Sequence, residues 1–452
     1  MSEPIREIVY ETLLKKEKDG IFSHYLIKDV LDKYSYLDRR DRSLIKRLIE
    51  GTIEREITLD YIINRFSQKK VEKLKDPIKV ILRMAVYQMI YMDQIPDSAA
   101  CNEAVKLTNK HGLRNLSGFV NGVLRNIARE KDNISYPKAD DNVPEYLSIK
   151  YSCPISLAQL FLDERGFEAA EKILKNSLEA RDVSVRFNLS KASCDDILNI
   201  LYKDIPKENI EVGPIEGCYY VKGFDFSRNI EAFENGYLTV QDVSSQLVGI
   251  VAEIHEGYQV IDLCAAPGGK TLCFADILNS TCDFGKVISC DVSENKLSRI
   301  RENVTRCGFD NVNIVLNDAS VYNPNFERMA DVVLIDVPCS GLGVLAKKND
   351  IKYRYSGRDE SLIQLQRSII DNAVRYVKPG GILVYSTCTI ADSENIDNYN
   401  YIKDVMKAEP VDFYDVLPDC FKKDSAHEGY LQLLSTEAVN DGFFISKFRI
   451  NS

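Results

Sequence analysis

Residues 260–270 read Val-Ile-Asp-Leu-Cys-Ala-Ala-Pro-Gly-Gly-Lys. A short apolar run, 260–263, ends in small residues, and a helical stretch follows. That order predicts a strand whose carboxyl end opens into a tight turn before a helix. Small side chains let the turn's backbone approach a ligand, and the helix start offers free N–H groups. The spacing is not G-x-G-x-x-G, which disfavours a nicotinamide dinucleotide. It is not G-x-x-x-x-G-K-[ST] either, so it is no P-loop.

Four more strand signals follow the turn. Residues 286–290 (KVISC) end at Asp291, and a helix over 294–306 comes next. Residues 312–316 end near Asp318, and 331–335 (DVVLI) end at Asp336. A long amphipathic helix, 360–377, precedes 381–386 (GILVYS). Strands alternating with helices predict a parallel, doubly wound α/β sheet with ligands at the carboxyl ends of its strands. An acid at the end of the second strand is placed to accept hydrogen bonds from ribose hydroxyls. Taken alone it is as well read as a helix cap. Together, Cys264–Lys270 and Asp291 favour a nucleoside-containing cofactor. The segment 280–285 is slightly long between the first two of these strands.

The last two strands end in Asp336-Val337-Pro338-Cys339-Ser340-Gly341 and Ser386-Thr387-Cys388-Thr389. A single cysteine is more often a small buried hydrophobe than a reagent. Two cysteines at neighbouring strand tips would face one pocket, where a thiolate is a soft nucleophile. Asp336, three residues before Cys339, could hydrogen-bond a substrate ring.

Upstream, the first ~130 residues read as helices with short connections. Ile81, Met84, Tyr87, Ile90 and Tyr91 recur at helical spacing, and Pro77 suits the first turn of their helix. Pro96-Asp97 opens the next helix. Asn115 is placed to cap a further one that carries Phe119, Val123 and Ile127. Residues 131–144 are polar, hold two prolines and read as a linker. Two short helices, near 155–162 and 168–178, and a strand over 183–189 predict a small α+β module. The expected domains are 1–135, 145–235 and 236–452.

Whole-chain composition sets limits. The 452 residues are 45% hydrophobic and 28% charged, which excludes a mainly disordered or fibrous chain. No apolar run approaches the ~20 residues of a membrane span, and the first twenty residues lack the apolar core of a secretory signal. The 12 cysteines form no C-x-x-C pair, so no metal site is expected, and reduced thiols in the cytoplasm are the simplest reading. The net charge of −10 argues at face value against nucleic acid. It is unevenly spread. Residues 1–140 hold 26 basic and 21 acidic side chains, a net of +5, against −15 for the remainder. A basic helical part beside an acidic remainder suggests separate modules with separate jobs.

The segments VQDVSSQ (240–246), DLCAAPGGK (262–270), Asp291, NDA (317–319), DVPCSG (336–341), YSTC (385–388) and DGFF (441–444) together resemble the Sun/RsmB family of RNA (cytosine-5) methyltransferases, the NOL/Sun group. The amino-terminal segments DRSLIKRLIEG, LRMAVYQMIYMDQIP and FVNGVLRNIAR resemble a NusB-like RNA-binding fold, and the resemblance covers essentially the whole chain. It implies a multidomain protein: an all-α NusB-like domain, a small α+β middle module, and a Rossmann-like methyltransferase domain. It implies S-adenosylmethionine as cofactor and 16S ribosomal RNA as partner, at the cytosine numbered 967 in the usual RNA scheme. By the same resemblance Cys264, Ala265, Ala266, Pro267, Gly268, Gly269 and Lys270 line the cofactor. Asp291 holds the ribose, Asp318 lies by the adenine, and Asp336 serves both the cofactor site and the target base. Cys388 matches the nucleophile, and Cys339 matches the cysteine that helps release product. Val337, Leu342 and Lys348-Asn349-Asp350 replace the Ala, Thr and His-Pro-Asp of many relatives, in the loop expected beside the base. A monomer is expected. Transfer RNA as substrate, and a non-catalytic assembly factor that keeps the fold, are the competing readings.

Overall fold

A computed structural model describes residues 5–179, 181–224, 229–280, 285–436 and 440–451. Of the slightly long segment 280–285, residues 281–284 lie outside the described residues. The contacts divide the chain into two compact units, Met1–Leu178 with Leu345–Gly357, and Glu179–Val344 with Arg358–Ser452.

The first unit is helical: α1 Ile5–Asp19, α2 Ser23–Lys33, α3 Arg39–Glu54, α4 Glu56–Phe66, α5 Asp76–Tyr91, α6 Asp97–Lys110, α7 Ser117–Glu130, α8 Val143–Tyr151 and α9 Ile155–Asn176. Helix α5 is its axis. It starts with Pro77 in its first turn and buries residues on nearly every face, Ile81, Val86 and Met89 among them. A helix that is apolar all round belongs in a core. Its one buried charge, Arg83, is fully compensated: a two-pronged bond to Asp60 at 2.7 and 2.6 Å, and Glu56 at 3.0 Å.

Three sequence expectations change here. Asn115 does not cap α7; a short 3-10 turn, Arg114–Leu116, runs into Ser117, and the cap position is Leu116. Residues 131–144 do not separate two bodies. Tyr61 Oη donates to Ser135 O at 2.7 Å and stacks on Tyr136, while Asn142 caps α8. Helices α8 and α9 therefore stay with the first unit, held by Thr58 Oγ1 donating to Ile149 O and Ile57 N donating to Ser152 Oγ. The two helices expected near 155–162 and 168–178 are joined at Gly166, whose φ of 73° breaks the helical path. Finally, Leu345–Gly357 leaves the catalytic half and packs in the helical unit. Asp350 Oδ2 accepts from Ser23 N at 2.7 Å, Asn349 Nδ2 donates to Glu54, and Lys352 Nζ donates to Glu54 O at 2.8 Å. Asn349 and Asp350, in the stretch expected to border the base, thus find partners on α2 and α3.

The second unit carries two sheets. Strands β1 Val183–Phe187, β2 Ile210–Val212, β3 Cys218–Val221 and β4 Leu238–Val240 form an antiparallel sheet in the order β2-β3-β1-β4. The larger sheet holds β5 Gln259–Asp262, β6 Lys286–Asp291, β7 Val312–Leu316, β8 Ala330–Asp336, β9 Val377–Thr387, β10 Glu409–Pro410, β11 Tyr430–Leu433 and β12 Phe443–Arg449. Its order is β10-β12-β9-β8-β5-β6-β7, with β11 on β12. The five predicted strands, β5 to β9, are parallel as expected. The sheet as a whole is mixed, because β12 runs antiparallel to β9 and covers its free edge. Chain order reverses between β5 and β8, which makes their carboxyl ends the switch point where such sheets bind ligands. Among the described residues, no helix is long and apolar enough to cross a membrane, and no cluster of three or more His, Cys, Asp or Glu could hold a metal.

Candidate active site at the switch point

Strand β5 stops at Asp262 because the small residues after it suit a turn rather than a ladder. Ala265 N donates to Cys290 O at 2.9 Å and Gly268 N to Ala265 O at 2.7 Å, closing that turn. Helix Gly269–Ser280 begins at once. Asp262 is fully buried. Thr271 Oγ1 donates to its Oδ2 at 2.7 Å, while its Oδ1 has no partner. Burial pushes its carboxyl up to about 7. A buried carboxyl oxygen left without a partner beneath this turn suits a hydrogen-bonding ligand.

Asp291 ends β6 and ties the turn to the next strand. Its Oδ2 accepts from Ala266 N at 3.0 Å; its Oδ1 accepts from Val292 N at 2.7 Å and faces Lys296 Nζ at 2.9 Å. Cys264 lies beside these acids, and burial with their charge holds its thiol well above the ordinary range. Pro267 O accepts from Asn303. Asp318, past β7, is exposed and its Oδ1 accepts from Ser320 N and Oγ. No hydrogen bond joins it to the other candidate residues.

The reactive groups gather between β8 and β9. Lys270 Nζ donates to Asp336 Oδ2 at 2.6 Å, and Ser386 Oγ donates to Asp336 Oδ1 at 2.8 Å. Burial works to lower the Lys270 pKa, yet the Asp336 carboxylate outweighs it and the ammonium is held above its ordinary value. Cys339 Sγ and Cys388 Sγ stand 3.3 Å apart as free thiols. That is hydrogen-bond distance, well beyond the ~2.05 Å of a disulfide. The contact with Cys388, followed by burial, holds Cys339 well above the ordinary thiol range. Cys339 is thus the thiol of the pair that keeps its proton.

Comparison with known proteins matches this architecture. A family model described as 16S rRNA methyltransferase RsmB/F covers residues 250–449, and a NusB family model covers residues 3–129. The "Probable ribosomal RNA small subunit methyltransferase B" of Bacillus subtilis (strain 168) is 35% identical over 98% of both chains. The chain belongs to the RsmB/F family of rRNA methyltransferases. The ribosomal RNA small subunit methyltransferase B of Yersinia pseudotuberculosis serotype O:1b (strain IP 31758) is 30% identical over 79% of this RsmB/F chain and 80% of its own. Among solved structures, PH0851 shares the fold over 99% of both chains, at a TM-score of 0.79 and 23% identity. NSun6 from Pyrococcus horikoshii with SFG matches 66% of this chain and 98% of its own, at a TM-score of 0.55 and 22% identity. The NusB-like helical and Rossmann-like catalytic parts are thus those of an RsmB/F protein.

Motif reading passes over several residues that build the RsmB/F site. Gly343 N donates to Cys388 O at 3.0 Å and Gly442 N to Gly343 O at 2.9 Å. A Cβ at Gly343 would sit 1.9 Å from Gly442 O, so only glycine permits this three-way backbone approach. Gln366, Glu394 and Asn395 are buried polar residues behind the two cysteine loops. One signal was available: Gln366 interrupts the apolar stripe Ile363, Ile369, Ile370, Ala373 of helix Glu360–Tyr376.

Proposed function

We propose that this RsmB/F protein methylates C5 of a cytosine in 16S ribosomal RNA, at nucleotide 967 by family resemblance, through a covalent bond between Cys388 and ring C6. The observation that carries the reading is the Cys339–Cys388 thiol pair, 3.3 Å apart, beside the Lys270–Asp336 ion pair at the switch point.

The cofactor implied by the family fits the residues present. The small residues of the turn Cys264–Lys270 let its backbone approach the group, Asp262 Oδ1 is an orphaned acceptor, and Asp291 is a strand-end acid suited to ribose hydroxyls. Asp318 is assigned to the adenine on resemblance alone. S-adenosylmethionine, when bound, supplies an electrophilic methyl carbon.

Cytosine C5 is a poor nucleophile. The Cys388 thiolate adds to C6, and the C5=C6 electron pair becomes available at C5; this splits one hard step into easier ones. Asp336 stabilises the negative charge that gathers at ring N3 through a proton held between its carboxyl group and N3, and the Lys270 ammonium behind it supplies compensating positive charge. Backbone groups near Pro338 meet the exocyclic amine. Once Cys388 carbon-bonds, it is no longer an anion, and the contact that held Cys339 protonated disappears. Cys339 then releases its own proton to water and, as a thiolate, takes the C5 proton, directly or through water. The C5–H electrons re-form C5=C6, and the C6–S pair returns to Cys388.

Bisulfite sequencing of total RNA from a strain lacking the gene tests the assignment. Loss of one 5-methylcytosine in small-subunit RNA, restored by the wild-type gene and not by Cys388→Ala, is the expected result. Loss in transfer RNA would move the substrate, and no loss at all would leave a non-catalytic assembly factor.

A further inference from the structure

The spacing of the two thiols has a common origin outside both cysteine loops. Glu394 is 4% exposed, and its Oε2 accepts from Ser340 N at 3.0 Å, the residue after Cys339. The same oxygen accepts from Gln366 Nε2 at 2.8 Å, and Gln366 Nε2 also donates to Pro338 O at 3.0 Å, the residue before Cys339. Asn398 Nδ2 donates to Gln366 Oε1 at 2.9 Å, which orients that amide. The next residue, Asn395, is fully buried and treats the other cysteine alike. Its Oδ1 accepts from Thr387 Oγ1 at 2.7 Å and its Nδ2 donates to Thr389 O at 3.1 Å, one residue on each side of Cys388.

We propose that Glu394 and Asn395 are paired positioning residues, Glu394 setting the Cys339 loop and Asn395 the Cys388 loop, so that one dipeptide fixes the two thiols relative to each other. Neither residue touches the reacting atoms. The buried carboxylate is explained by this role, because an acceptor that takes two donors from one oxygen holds a backbone N–H and a side-chain amide in register. Buried polar networks of this kind specify a unique geometry when fully satisfied.

The inference rests on the two-cysteine reading, and it predicts opposite kinetic signatures for two adjacent residues. Loss of the Glu394 contacts displaces Cys339, the group that takes the C5 proton. Glu394→Ala and Gln366→Ala should therefore keep a first methyl transfer within a few-fold of wild type, lose turnover at least tenfold, and accumulate a protein–RNA adduct stable on denaturing gels. Loss of the Asn395 contacts displaces Cys388. Asn395→Ala should slow the first transfer at least tenfold and accumulate no adduct. Glu394→Gln keeps an oxygen where Oε2 stands and should restore turnover.

The assay is single- and multiple-turnover methylation of a small-subunit RNA transcript by the full chain, with Cys339→Ala and Cys388→Ala alongside. If Cys339→Ala accumulates adduct while Glu394→Ala does not, the positioning role fails and the two-cysteine reading stands. If Cys339→Ala gives no adduct, both fall. Parallel loss of first transfer and turnover in Glu394→Ala and Asn395→Ala would reduce the pair to a packing element and overturn the proposal. Should Glu394→Ala lose its cooperative melt, Gln366→Ala and Glu394→Gln carry the same comparison.

Discussion

Lys270, half-buried, and Lys352, buried, lie one in each unit, and their pKa values move in opposite directions. Lys270 meets the Asp336 carboxylate at 2.6 Å and is held above its ordinary value, although burial works against it. Lys352, 1% exposed, donates to two backbone carbonyls, Glu54 O at 2.8 Å and Tyr151 O at 3.4 Å, and burial lowers it to about 8. Burial alone disfavours an ammonium; a direct carboxylate reverses the sign. The difference separates a charge kept for chemistry from one kept as an anchor. Lys270 backs Asp336, the residue proposed to meet the base. Lys352 pins the excursion Leu345–Gly357, together with Tyr353, whose Oη donates to Glu54 O at 2.8 Å.

The largest expected effect breaks this contrast at Lys270. Lys270→Met should lower single-turnover methyl transfer by about 10²–10³-fold, the usual cost of one charge-stabilising donor in a closed site. The fold should persist, judged by an unchanged circular dichroism spectrum. A comparable loss of chemistry in Lys352→Met would erase the distinction.

Lys352 sharpens it through stability. Its folded pKa lies below the unfolded one, so the fold bears a cost of keeping the ammonium buried at neutral pH. That cost is relieved as pH rises from about 8 towards 10.5. Wild type should therefore gain on Lys352→Met by about 2 kcal/mol between about pH 7.5 and 9.5, measured by urea denaturation. A gap that stays flat over this window would show that Lys352 is not titrating as a buried amine. No such rise is expected between wild type and Lys270→Met, because the Lys270 pKa is shifted upward.

The smallest effect compares the two units as partners for RNA. Arg39, Arg40 and Arg47 line a cavity of about 360 Å³ with Ser43, Leu44, Met92 and Gln94, and among the described residues none of the three makes an ion pair. Replacing all three with Gln should weaken binding of a small-subunit RNA transcript about tenfold and reduce the salt slope of log K by about 2. Lys203→Gln with Lys207→Gln in the acidic unit should leave that slope unchanged. Equal effects would mean that the uneven charge along the chain has no bearing on RNA.

Much of the site was legible because its residues follow strands. Asp291, Asp336 and Cys388 each stand at or just past the carboxyl end of a parallel strand, and a strand end can be read from a short apolar run and the turn after it. Asp318 shows the limit of that rule, since it stands two residues past β7, the strand at one edge of the sheet, and is exposed. Glu394 and Asn395 were not legible, because neither periodicity nor a motif distinguishes a buried polar residue from a solvated one. The Glu394 partners Ser340 and Gln366 lie 54 and 28 residues away. The polar linker 131–144 was misread for a related reason: prolines and charges mark a loop, and its contacts with Asp97, Tyr61 and the helical core show where the loop lies.

The sequence by itself determined the alternation of strands and helices, the small-residue turn and the order of chemistry-bearing residues along the chain. Those are local properties, set by backbone sterics and by which side chains leave water together. Only the tertiary structure decided that residues 345–357 pack with the helices, that β12 caps the parallel sheet in the opposite sense, and that adjacent residues hold both thiols 3.3 Å apart. The sign of each lysine's shift was decided there too. A hydrogen bond or an ion pair depends on a partner's position, and chain distance carries almost no information about that position.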